Sequence, residues 1–190
     1  MNIAIADPLS PISAPARNAA EVRANATYEA LMWALARPGA IRSLPQTDIV
    51  AVVETLVDRE CRVFAASADL LPAIAATGAE LVSADEADHA FLSLDTAAGL
   101  SALAEVPVGS HLYPDDGATV FARAQIGQGR RLRLSGPGIE ASVEIQVGGL
   151  PDEIWSIRAA RCLYPTGFEL FLIDGNRVLG LPRSTTIEVL

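Results

Sequence analysis

Apolar residues recur at helical spacing through the first half of this chain, interleaved with short strand-like runs, and at alternate positions through much of the second half. A chain so patterned buries its apolar faces by laying helices on a sheet, so an α/β fold with layered organisation is expected. From about Asn18 the residues Val22, Leu31, Met32 and Leu35 predict a helix that stops where Arg37 meets Pro38-Gly39. Residues 41–44 read as a strand, 48–57 as a helix and 62–65 as a strand. Residues 69–76 form a short predicted helix closed by Gly78, followed by strands near 80–82 and 89–94 and a helix from Thr96 to about Leu103.

In the second half, residues 118–126, 131–135 and 141–147 are strand-like, and the last two flank the turn Gly136-Pro137-Gly138. Arg131, Arg133, Ser142 and Glu144 alternate with Leu132, Leu134, Val143 and Ile145, so one face of this sheet is wet. Pro151-Asp152-Glu153 has the proline and acidic first turn of a helix running to about Cys162. Residues 168–173 and 177–181 bracket Asp174-Gly175-Asn176, a hairpin signal, and a short strand closes the chain.

With 190 residues, 51% of them hydrophobic, the chain can bury a sizeable core. The expected organisation is an N-terminal arm over residues 1–17, rich in prolines such as Pro8, Pro11 and Pro15, and a single domain over 18–190. No apolar run approaches the roughly 20 residues that span a bilayer. The N-terminus has no basic segment leading into an apolar one, so a cytoplasmic protein is expected. A formal net charge of -9 argues against nucleic-acid binding.

Every one of the 14 basic residues is an arginine. Without lysine the chain can form neither the Schiff base of a pyridoxal phosphate enzyme nor a P-loop. His89 and His111, the two histidines, have no metal-ligand spacing with each other or with Cys61 and Cys162, so no metal is expected. The cysteines read as small hydrophobes rather than a disulfide. There is no G-x-S-x-G elbow for a hydrolase and no cysteine set for an iron-sulfur cluster.

What remains is a short roster of candidates. His111, on the loop Gly109-Ser110-His111, and the acidic pair Asp115 and Asp116 after Tyr113-Pro114 could line a pocket, although ordinary turn chemistry is the favoured account of the pair. Arg130, Arg131 and Arg133 form a basic cluster in an acidic chain, and Arg183 follows a proline that places its backbone. An arginine fork suits carboxylates, phosphates and protein interfaces, so these four are candidates for anion binding or for an interface; a solvated strand edge is the alternative for the first three.

Four segments, in order, are Leu31-Met32-Trp33-Ala34-Leu35-Ala36-Arg37-Pro38-Gly39, Leu134-Ser135-Gly136-Pro137-Gly138-Ile139, Tyr164-Pro165-Thr166-Gly167-Phe168-Glu169-Leu170, and the run from Asp174-Gly175-Asn176 to Leu181-Pro182-Arg183-Ser184-Thr185. Together they resemble the PhnH family, subunits of the bacterial carbon-phosphorus lyase machinery. Glu29, Glu169 and Ser184 depart from the family's usual arginine, aspartate and threonine. The resemblance implies a three-layer α/β/α sandwich with a mixed sheet, similar to pyridoxal phosphate-dependent transferases without their active site, and often a homodimer. It further implies partnership with the other subunits of that complex, which convert ATP and an alkylphosphonate into a ribose 1-alkylphosphonate 5-triphosphate and adenine. For methylphosphonate the product is α-D-ribose 1-methylphosphonate 5-triphosphate. No catalytic residue and no cofactor are implied for this subunit. The leading expectation is therefore an accessory subunit. A nucleotide- or phosphonate-binding module using Arg130, Arg131, Arg133 and Arg183 is the second, and an enzyme using His111 with Asp115 or Asp116 is the third.

Overall fold

The structure is a computed structural model that describes residues 16–47 and 49–190. The expected arm falls almost wholly outside these residues. In chain order the elements are α1 (Ala19–Ala36), β1 (Arg42–Ser43), α2 (Val50–Leu56), β2 (Arg62–Ala65), α3 (Leu71–Thr77), β3 (Glu80–Leu81), β4 (His89–Leu92), α4 (Ala97–Glu105) and β5 (Thr119–Arg123). They continue with β6 (Gln125–Ser135), β7 (Val143–Gly148), α5 (Glu153–Arg161), β8 (Glu169–Asp174), β9 (Arg177–Leu181) and β10 (Thr186–Val189).

Helix α1 begins where Asn18 and Glu21 satisfy each other's backbone amides in a capping box, and it ends at Pro38-Gly39 as its sequence requires. The strands form a seven-stranded mixed sheet in the order β1-β9-β8-β5-β4-β2-β3 and a three-stranded antiparallel sheet in the order β10-β6-β7. In the larger sheet β3, β2, β4, β5 and β8 run parallel, while β9 is antiparallel to both β8 and β1. The fold is thus α/β with a mixed sheet.

Side-chain alternation sorts the two faces of the large sheet. Phe91, Phe121 and Phe171 stand in register on β4, β5 and β8, with ring centroids 5.0 and 5.2 Å apart, and pack beneath α1, α2 and α3. Each buried ring contributes about 2–3 kcal/mol. The alternate residues Leu92, Val120, Ala122, Leu170 and Leu172 join the opposite core, formed with α4, α5 and the small sheet. That second covering layer is therefore part helix and part sheet.

The strand expected over 118–126 is two strands in two sheets. At Ala124 the chain leaves the large sheet: its amide donates to the Ile173 carbonyl, and the next ladder bond is replaced by the Asp174 carboxylate accepting from the Ile126 amide at 2.9 Å. The expected strand over 131–135 is the end of the longer β6, which shifts register between Ile126 and Arg130. His89 starts β4, an interior strand, with its ring stacked 6.3 Å from that of Phe121.

Candidate functional site

The four sequence segments come together in pairs. Gly138 approaches the end of α1 so closely that a Cβ there would lie 2.5 Å from the Ala36 carbonyl oxygen, which brings the first segment against the second. Gly167, at φ +143°, allows the third segment to meet the fourth; a Cβ on it would lie 2.9 Å from Arg183 Cβ and 3.0 Å from Cys162 Sγ. Beside the first junction lies an open pocket where the Arg42 guanidinium sits 5.8 Å from the Trp33 ring centroid. Beside the second lies a pocket of about 470 Å³ between α5 and the segment that links β9 to β10.

The second pocket is built on an unusual helix face. On α5, Ile154, Trp155 and Arg158 are buried together, so an arginine stands one turn after two core residues on the apolar side. Arg158 is 3% exposed, and among the described residues no carboxylate lies within ion-pair distance of it. Its Nη1 donates to the Thr185 carbonyl at 3.0 Å, and its Nη2 donates to the carbonyls of Pro182 at 2.6 Å and Leu181 at 3.4 Å. Nε has no partner. Burial pushes the guanidinium pKa down, opposed by the nearby Cys162 and Glu169. Thr185, 2% exposed, leaves its Oγ1 unpaired beside it. An unmet buried hydroxyl costs about 1–3 kcal/mol.

Arg183, on the rim of the same pocket, is held firmly. Its backbone amide and Nε donate to the two Glu169 oxygens at 2.8 and 2.6 Å, and Nη1 donates to the Pro114 carbonyl. The last bond ties it to the loop that carries His111, Asp115 and Asp116, which are exposed; Pro114, Asp115 and Asp116 form a single 3-10 turn. The Gly167 amide also donates to the Val108 carbonyl at 2.8 Å, so the two loops are tied together at two points.

Arg130, Arg131 and Arg133 lie elsewhere, on the wet face of β6. Arg130 pairs with Asp152, Arg131 with Glu144 at 2.7 Å, and Arg133 with Glu144 at 3.2 Å and Glu188 at 2.9 Å. Hydrogen bonds from Arg131 and Arg133 hold the Glu144 carboxyl below its usual range. Sequence reasoning named Arg183 but missed Arg158 and Thr185. The signal that could have found Arg158 was its place three residues after Trp155 and four before Cys162 on the apolar stripe of α5.

Among the described residues no three His, Cys, Asp or Glu side chains converge to hold a metal, both cysteines are free thiols, and no helix is long and apolar enough to cross a membrane.

Comparison with known proteins matches residues 16–188 to the family described as bacterial phosphonate metabolism protein (PhnH). A relative from Stutzerimonas stutzeri named putative C-P lyase subunit protein HtxG is 32% identical, covering 88% of this chain and 87% of the relative. Another from Rhizobium meliloti, named α-D-ribose 1-methylphosphonate 5-triphosphate synthase subunit PhnH, is 31% identical, covering 87% of this chain and 90% of the relative. With the paired segments, nearly full-length coverage and this family match, the chain belongs to the PhnH family of bacterial phosphonate metabolism proteins.

Proposed function

We propose that this chain is an accessory, non-catalytic subunit of a carbon-phosphorus lyase complex in alkylphosphonate utilisation. The observation that carries the reading is the family match over residues 16–188, together with relatives named as subunits of such machinery. In this reading the assembly, acting as a transferase, joins methylphosphonate to the ribose of ATP and releases adenine, giving α-D-ribose 1-methylphosphonate 5-triphosphate. This chain supplies surfaces to that assembly rather than reacting atoms. On its own it forms a homodimer in the cytoplasm, with the fold of a pyridoxal phosphate-dependent transferase that has no lysine to anchor the cofactor.

One surface suits docking. Leu112, Tyr113, Leu163 and Tyr164 are 76, 58, 64 and 74% exposed on the two loops joined through Gly167 and Arg183. Those loops are internally braced, Tyr113 by Ser110 Oγ at 3.0 Å and Thr166 Oγ1 by the Leu163 carbonyl at 2.8 Å. Large apolar and aromatic side chains on a braced backbone require no ordering of the loop itself on binding, which suits an interface anchor. Co-purification of the chain with the other complex subunits tests the reading. Wild-type protein associates, and Tyr164→Ala weakens association by tenfold or more, about 1.4 kcal/mol or above, while the unfolding midpoint is unchanged. A folded wild-type chain that associates with none of those subunits contradicts it. A second reading, a nucleotide- or phosphonate-binding module, is favoured by the unpaired charge of Arg158.

A further inference from the structure

Among the described residues Arg158 is the one charged side chain in the core, and what surrounds it is neutral where it touches. Backbone carbonyl dipoles offset part of the cost of removing a guanidinium from water, but they carry no net charge. Glu169 is committed to Arg183 through both oxygens. The group formed by Arg158, Arg183 and Glu169 thus keeps a net positive charge inside a chain whose overall balance is -9. Beside it, the Thr185 hydroxyl has neither donor nor acceptor within reach.

The adjoining cavity, about 470 Å³, has a mixed lining. Ser184, Thr185, Thr186 and the part of the Arg183 guanidinium not bonded to Glu169 and Pro114 contribute polar groups to its lining, and Trp155 and Ile187 contribute apolar surface. We propose that this pocket binds a small tetrahedral oxyanion with an apolar substituent, of the alkylphosphonate class, whose charge is the counter-charge that Arg158 lacks. The oxyanion lies toward the hydroxyls and the Arg158 floor, and the alkyl group lies against Trp155. That the anion is a phosphonate rests on the proposed role in phosphonate metabolism; that an anion binds rests on the pocket alone. The exposed arginines of β6 take no part, because they do not line this pocket and their charges are met by Asp152, Glu144 and Glu188.

Titration calorimetry on the full chain, with methylphosphonate, inorganic phosphate and acetate at one ionic strength, tests this. Wild-type protein binds methylphosphonate saturably, phosphate more weakly, and acetate not at all. Thr185→Val removes a hydroxyl that bonds to nothing in the free protein, so its unfolding midpoint stays at or above that of wild type. Its affinity for methylphosphonate nevertheless falls about fivefold, the loss of one hydrogen bond to a charged group. Arg131→Gln leaves binding unchanged. Absence of saturable heat with folded wild-type protein, equal affinity in Thr185→Val, or phosphate binding as tightly as methylphosphonate each overturns the proposal. Association with the complex without anion binding removes this site and leaves the proposed function; anion binding without association does the reverse.

Discussion

The arginines of β6 and the arginine of α5 carry the same charge into opposite circumstances. Arg130, Arg131 and Arg133 lie at the surface, their charges met by Asp152, Glu144 and Glu188 across strands and loops. Arg158 lies in the core and is met only by carbonyls. A surface pair in water gains little because solvent already stabilises both charges. A buried cation without a counter-charge is costly, and such groups concentrate at functional sites. Clustering in sequence therefore marks where charge is plentiful, and burial marks where it has consequences.

The comparison breaks most visibly at Arg158. Arg158→Met leaves the carbonyls of Leu181, Pro182 and Thr185 without their donors; that loss outweighs the relief of removing a buried cation, and a net fall in stability of about 3 kcal/mol is expected in urea unfolding. A loss below 1 kcal/mol would make the burial inconsequential. Glu169→Gln comes next: the carboxylate and Arg183 are 18 and 15% exposed, and halving their interaction is expected to cost about 1–3 kcal/mol by the same measurement.

His89 gives a smaller, pH-dependent effect. Burial beside Phe121 pushes its pKa down, partly opposed by Asp88 and Asp58. The unfolded chain, with a histidine pKa near 6.5, then binds more protons than the folded one, so stability is full at neutral pH and declines as pH falls through about 6.5 toward the lowered folded value. His89→Gln is expected to flatten that decline in unfolding midpoints taken between pH 7.5 and 5. Smallest of all, Arg131→Gln and Arg133→Gln are expected to leave the midpoint within error at physiological salt, since the pairs they break are open to solvent.

Periodicity made most of the fold legible. The helix ending at Arg37-Pro38-Gly39, the strand-helix alternation and the hairpin at Asp174-Gly175-Asn176 follow from local spacing and turn chemistry, and each is present. The passage from β5 to β6 was not legible, because an apolar run reads the same whether it stays in one sheet or crosses to another at Ala124. Nor was the phenylalanine ladder, whose rings come from three distant segments. At the site, Arg130 to Arg133 stood out because they are neighbours in sequence, while their partners Glu144, Asp152 and Glu188 are not. Arg158 was hidden by being single; only its position on the apolar stripe of α5 distinguished it.

The proposed role has this chain serving a phosphonate-processing assembly and doing no chemistry alone. Adenine release from ATP and methylphosphonate, measured with the other subunits in the presence and absence of this chain and with this chain by itself, tests it most directly. Release from the full assembly, loss of most of it when the chain is omitted, and background from the chain alone are the expected results. Turnover by the isolated chain, or an undiminished rate without it, would contradict the claim.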